Sequence, residues 1–228
     1  MRMRTLRKTL ILAFILSLAP GATVAPRAQA GGTLRLYVAR HGETDWNLAH
    51  RLQGWTDRPL DDTGRRQARD LAESLKGVHL DAIYSSTLSR SRDTAEVVAG
   101  GTMTVKGLPG LRERNYGRFQ GGSDTAPDYL KRVNAWDDAM DGGETLNQLL
   151  ARTRESLDMI RREHPSGNVL IVAHRITNQM VLGALVGLMP AQMLKIEQGS
   201  DEVYLVEFDP GATPRLWKLV RERNLGDL

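Results

Sequence analysis

The sequence predicts a three-layer α/β sandwich with a mostly parallel central sheet. Short β-rich runs alternate with helical segments, the pattern of strands joined by covering helices. Asn168-Val-Leu-Ile-Val-Ala173 is a continuous apolar run of the kind that suits a strand covered on both faces. Turn signals rather than linkers separate these segments, so the 198 residues from Gly31 to Leu228 read as one domain with one core.

The elements follow in order. Leu34 to Ala39 is a β-rich run that ends at Arg40-His41-Gly42. Thr63 to Lys76 is a helix, with Asp62 or Thr63 as cap, apolar positions at Ala68, Leu71, Ala72 and Leu75, and Gly77 closing it. Ala82-Ile83-Tyr84 is a short strand ending in Ser85-Ser86, and Ser89 to Ala99 is a helix stopped by Gly100-Gly101. Met103 to Val105 is a further strand candidate. Thr145 to Glu163 is a long amphipathic helix that ends before Pro165, and Ile176 to Leu188 is an apolar helix after the 168–173 run. Val203 to Phe208 and Arg215 to Val220 flank Asp209-Pro210-Gly211 as a terminal hairpin. Residues 118–141 have the least readable pattern in the chain.

Residues 1–30 have a different grammar. A basic stretch from Met1 to Lys8 precedes the apolar run Leu10 to Ala19, Pro20-Gly21 breaks it, and Ala28-Gln29-Ala30 supplies small residues. That is the three-part pattern of a secretory signal peptide, with cleavage expected after Ala30, although Thr23-Val24-Ala25 also fits. The run is short of the roughly 20 residues of a spanning helix, so no stable membrane insertion is expected after processing, a retained anchor being the alternative. The expected location is periplasmic or extracellular.

The formal charge of +4 comes from 31 Lys+Arg against 27 Asp+Glu, and five of those bases lie in the leader. The remainder holds 26 bases against 27 acids, which gives no reason to expect nucleic acid as a partner. Aromatics at 5% argue the same way against base-stacking surfaces. With no cysteine, disulfides, Cys-ligated zinc, Fe–S clusters and thiol nucleophiles are excluded.

In an open α/β sheet, ligands bind beyond the carboxyl ends of the parallel strands. One predicted strand delivers Arg40-His41 there and the apolar strand delivers His174, while a third ends just before Arg90. Two histidines and two arginines without metal-type spacing point to an anion site, because guanidinium forks match phosphate oxygens and stay charged. Gly42 is expected to let the backbone approach the anion. Asp61-Asp62 reads as a helix cap rather than a metal pair. Glu144 is explained by the positive end of the long helix. Met180, Met189 and Met193 are core filler. Arg65-Arg66 and Arg161-Arg162 lie on solvated faces, and His50, His79 and His164 have no assigned role.

These residues carry a resemblance. Leu36-Tyr-Val-Ala-Arg-His-Gly-Glu-Thr-Asp-Trp-Asn47 resembles the signature of the histidine phosphatase superfamily, with its phosphoglycerate mutase-like fold. The likeness continues through Leu52 to Leu60, Ser85 to Arg90, Leu111 to Gly117, Gly142 to Thr145 and Val172-Ala-His174, in order along the mature chain. It implies metal-independent phosphomonoester hydrolysis on a small phosphorylated substrate, with no cofactor. His41 would be the nucleophile that forms a phosphohistidine, and Arg40, Arg90 and a protonated His174 would depress its pKa and meet the phosphoryl charge. Glu113 would be the general acid, held partly protonated by burial or by the bound phosphate. Asn47 and Gly54 fall on positions that touch substrate in relatives.

The chain departs from the pattern at Arg175, where the family usually has a small residue after the second histidine. Its side chain would either contact a doubly charged substrate or point away. Ser91 replaces a usual alanine. Gln53 stands where mutases place Ser or Thr, and a single Lys131-Arg132 stands in for the glycerate-holding bases of glycolytic mutases. A hydrolase is therefore preferred over a mutase-like phosphotransferase or a non-catalytic phosphate-binding module.

Overall fold

A computed structural model describes residues 32–220 and 223–225. The expected leader and its cleavage site lie outside them. Strand β1 (Leu34–Arg40) leads through α1 (Asp45–Leu48) and α2 (Asp62–Ser74) to β2 (Ala82–Ser86), α3 (Ser89–Ala99) and β3 (Val105–Leu108). The chain continues through α4 (Pro127–Arg132), α5 (Leu146–Glu163), β4 (Gly167–Ala173), α6 (Arg175–Val186) and α7 (Pro190–Met193). It closes with β5 (Glu202–Phe208), β6 (Arg215–Val220) and β7 (Arg223–Leu225).

The strands form one mixed sheet in the order β3-β2-β4-β1-β5-β6-β7. The β3-β2-β4-β1 half is parallel, as the sequence predicts, and β5, β6 and β7 add an antiparallel half. Neighbouring residues alternate between two cores, the period-2 signature of a strand covered on both faces. Leu36, Val38, Val169 and Ile171 pack toward α5 and α6, against Leu157, Ile160, Val181 and Leu182. Tyr37, Ala39, Leu170 and Val172 pack toward α2 and α3, against Leu71, Leu75, Ala95 and Ala99. These are the three layers. A third cluster, with Tyr116, Phe119, Tyr129, Met140, Leu146 and Met180, fills the space under α4.

Several boundaries differ from the sequence reading for local reasons. Asp61, not Asp62 or Thr63, caps α2, because its carboxylate accepts from the Gly64 N–H at 2.7 Å. The predicted 103–105 strand lies at Val105–Leu108, where β2 offers a partner. Thr145 caps α5 in a reciprocal capping box with Gln148. Met180 and Met193 are core residues as expected, but Met189 is 67% exposed. Among the described residues no helix is long and apolar enough to cross a membrane.

Candidate active site

The parallel register brings the two histidines together. Arg40 pairs with Ala173 at the ends of β1 and β4, so His41 and His174 each stand one residue beyond adjacent strands. The His41 N–H donates to the Ala173 carbonyl at 3.0 Å, and the two imidazole centroids are 5.0 Å apart, tilted by 57°. His41 Nδ1 lies 2.7 Å from the Gly42 carbonyl oxygen. A carbonyl only accepts, so Nδ1 carries the proton and Nε2 keeps its lone pair. Burial, then the charges of Arg90 and Arg40, hold the His41 pKa well below the usual histidine value. The imidazole is a neutral nucleophile with its tautomer set.

His174 departs from expectation. Burial first, then Arg90 and His41, push its pKa well below the histidine range too, so among these protein groups it is neutral rather than the predicted cation. Sequence spacing locates a histidine but not the desolvation that discharges it. The charge a phosphate dianion brings is what favours its protonation.

The arginines are the fixed charges. Arg90, in the first turn of α3, is fully buried and anchored by donating to the Gly54 carbonyl at 2.8 Å and the Thr56 carbonyl at 3.2 Å. Burial pushes its pKa down to about 10, which still leaves it charged at neutral pH. Arg40 ends β1 and donates to the Gln198 carbonyl at 3.4 Å. Arg40 Nε, Arg90 Nε and both ring nitrogens of His174 are buried without a hydrogen-bond partner. Each unpaired buried polar atom costs on the order of 1–3 kcal/mol; the two guanidinium N–H groups and the one N–H of a neutral His174 are three donors beside His41, and they imply an acceptor-rich ligand. A tetrahedral phosphoryl group has the oxygens to meet them.

Glu113 lies on the same cleft and is 7% exposed. Donors rather than apolar groups surround its carboxylate: the N–H groups of Arg114, Ile176 and Thr177 lie at 2.9, 3.3 and 3.2 Å, and the Thr177 hydroxyl at 3.2 Å. The first turn of α6, entered directly from His174, thus orients this carboxylate. The backbone behind it is clamped by Arg152 of α5, which donates to the carbonyls of Gly110, Arg112 and Glu113 and pairs with Glu144 at 2.6 Å. Glu144, at the N-terminal end of α5 as expected, thus also serves an ion pair. Arg114, fully buried, donates to the carbonyls of Val133, Asp138 and Glu144 and ties the 133–144 loop to the same frame.

The cleft holds about 450 Å³ and is lined by Arg40, His41, Asn47, Gly54, Arg90, Glu113 and Arg175, all expected at the site; His174 lies buried beside His41. Asn47 uses its oxygen in a capping box with Thr44, which leaves its amide N–H₂ as what it can offer the cleft. Gly54 has φ +53°, and a Cβ there would meet the Gln120 amide. Gly42 has a packing purpose that the sequence reading did not give it: a Cβ there would collide with the Gly64 backbone, so glycine lets α2 pack against the nucleophile loop. His50, given no role by the sequence reading, lines the cleft and sits 3.4 Å from Asp124. Tyr116, Tyr129, Gln53 and Gln179 also line it and went unpredicted. Only Pro127 in the first turn of α4 could have signalled the wall that Tyr129 builds. Among the described residues no group of three His, Asp or Glu side chains is arranged to hold a metal.

Comparisons with known proteins agree with this geometry. The profile of the histidine phosphatase superfamily (branch 1) matches residues 36–223. A probable phosphoglycerate mutase, GpmB, of Photorhabdus laumondii is 34% identical over 165 residues, covering 68% of this chain and 76% of its own. Phosphoserine phosphatase 1 of Hydrogenobacter thermophilus is 30% identical over 162 residues, covering 68% and 77%. The solved structure of a mycobacterial glucosyl-3-phosphoglycerate phosphatase superposes with a TM-score of 0.71 at 27% identity, over 81% of this chain and 97% of that one. The chain belongs to the histidine phosphatase superfamily, branch 1, and has its phosphoglycerate mutase-like fold.

Proposed function

We propose that this protein hydrolyses phosphomonoesters through a phosphohistidine on His41, without a metal. The observation that carries the reading is the set of unpartnered buried nitrogens on Arg40, Arg90 and His174 gathered around a neutral imidazole. Nε2 of His41 attacks phosphorus in line; the N–P bond forms as the P–O bond to the alcohol breaks. The guanidinium groups of Arg40 and Arg90 meet the charge on the equatorial oxygens, and His174 adds a proton-sharing contact as that charge arrives. Glu113 gives the proton to the departing oxygen. It then takes one from the water that attacks phosphorus, releasing phosphate and free His41.

Hydrolysis is preferred over mutase-like transfer. Of the single Lys131-Arg132 pair in the 118–141 segment, Arg132 is engaged by Asp138 at 2.6 Å and Asp141 at 2.9 Å. Export, read from the leader pattern alone, would also separate the protein from glycolytic substrates and forms part of this proposal. The test is hydrolysis of p-nitrophenyl phosphate with a chelator present. Turnover by wild type and none by His41→Ala is the expected result; equal rates, or none for wild type, overturn it and leave a phosphate-binding module.

A further inference from the structure

One peptide group sets the tautomer of His41, and a side chain that does not line the cleft holds that peptide. The Gly42 carbonyl that accepts from His41 Nδ1 and the Glu43 N–H are the two ends of a single planar amide. The Glu43 N–H donates at 2.7 Å to Oε1 of Gln67, a half-buried residue in the second turn of α2. The flanking peptides are pinned separately. The Gly42 N–H donates to Thr94 Oγ1 at 3.1 Å, and that hydroxyl gives its own proton to the Arg90 carbonyl at 2.8 Å. The Glu43 carbonyl accepts from the Asp61 N–H at 3.1 Å. Gly64, one turn before Gln67 on the same face of α2, lies so close that a Cβ on it would collide with the Glu43 backbone. With both neighbours fixed, the 42–43 amide keeps one soft motion, a rotation about ψ of Gly42 and φ of Glu43 that inverts it. Glycine at 42 has no Cβ to oppose that rotation.

We propose that Gln67 is a positioning residue for the nucleophile: it latches the Gly42–Glu43 amide with its carbonyl toward His41 and so keeps the lone pair on Nε2. The catalytic consequence rests on the hydrolase reading; the latch itself does not. A neutral imidazole carries one ring proton, and the proton resides on the nitrogen that faces an acceptor. With the carbonyl inward, Nδ1 holds the proton and Nε2 is free to attack phosphorus. With the amide inverted, Nδ1 would accept from the Glu43 N–H, the proton would move to Nε2, and the attacking atom would have no lone pair. The Gln67 oxygen, turned to the Glu43 N–H, matches only the productive orientation. Hydrogen bonds in series also polarise one another, so this bond strengthens the acceptor that Gly42 offers to Nδ1. Arg40 and Arg90 do a different job: their charges keep the ring neutral but do not choose between its tautomers.

The test compares wild type with Gln67→Met, Gln67→Glu and Gln67→Lys, with thermal melts to verify folding. Met offers neither donor nor acceptor, Glu only accepts and Lys only donates. The first readout is the His41 tautomer in the ligand-free protein, from ring ¹⁵N shifts assigned with His41→Asn. The second is kcat/KM for p-nitrophenyl phosphate, which ends at phosphoryl transfer to His41. The third is the inhibition constant of inorganic phosphate, which reports binding alone. Wild type should hold its proton on Nδ1. Gln67→Met should admit the Nε2–H form and lower kcat/KM roughly five- to tenfold, the size of one hydrogen bond, at constant phosphate affinity. Gln67→Lys should lose more, since an ammonium favours the inverted carbonyl, and Gln67→Glu should recover most of the loss seen with Met. A wild-type ring protonated on Nε2, a tautomer unmoved in both Gln67→Met and Gln67→Lys, or losses that track melting temperature or phosphate affinity each overturns the proposal. The two readings fail separately. Tautomer shifts across the series in a protein that hydrolyses no ester would remove the hydrolase reading and keep the latch. Turnover with an unmoved tautomer would remove the latch and keep the hydrolase.

Discussion

Two imidazoles buried in the neutral form make stability depend on pH in a calculable way. His41 and His174 both have folded-state pKa values well below the ordinary 6.5. The unfolded chain therefore takes up protons that the folded chain refuses, and stability, full above pH 6.5, falls as pH drops from there toward the folded values. At pH 5.5 an unfolded imidazole of ordinary pKa is about 90% protonated, which costs the folded state on the order of 1 kcal/mol per histidine. The pair should cost roughly 3 kcal/mol between pH 7.5 and 5.5, a large share of a marginal total. The assay is urea unfolding at both pH values in phosphate-free buffer, on wild type and on His41→Asn/His174→Asn. The double variant should lose about 3 kcal/mol less over that interval. Equal pH dependence in the two proteins would refute the burial and the neutrality assigned to these rings.

Other perturbations have separate readouts. Arg90→Met should lower kcat/KM by about 100-fold or more, in steady-state assays on any phosphomonoester, because it removes a fixed charge from the phosphoryl group. Arg152→Met should leave the chain folded but release the backbone that carries Glu113. It should slow an alkyl phosphate by roughly 100-fold while sparing p-nitrophenyl phosphate, whose leaving group departs without a proton. Gly42→Ala should destabilise by at least about 3 kcal/mol in denaturant titration, since its methyl would meet the Gly64 backbone and the first turn of α2 would have to move.

Strands and covering helices were legible because their patterns are local. The apolar 168–173 run and the glycine stop after α3 put these elements within a residue or two of their observed positions, while the helix read as Ile176 to Leu188 ends earlier, at Val186, where Gly187 caps it. The pairing of His41 with His174 follows from two strand ends being neighbours, which a parallel sheet makes easy to guess. What was hidden depends on contacts between distant residues. The clash that makes residue 42 glycine is with Gly64, across a loop. The Glu144–Arg152 pair and the three carbonyls around Arg114 appear only when α5 and the 133–144 loop are packed. The 118–141 segment was unreadable because α4 is short and owes its place to Tyr129 packing on Tyr116 and Phe119. The lowering of the His174 pKa was hidden for the same reason: burial is a tertiary property.

The most direct measurement is a rapid alkaline quench of wild type turning over a phosphomonoester, followed by mass spectrometry of the peptides. A phosphoryl group on His41, absent from His174 and formed with chelator present, is the expected result. Turnover with no labelled histidine, or a label on any other residue, would contradict the assignment of His41 as nucleophile.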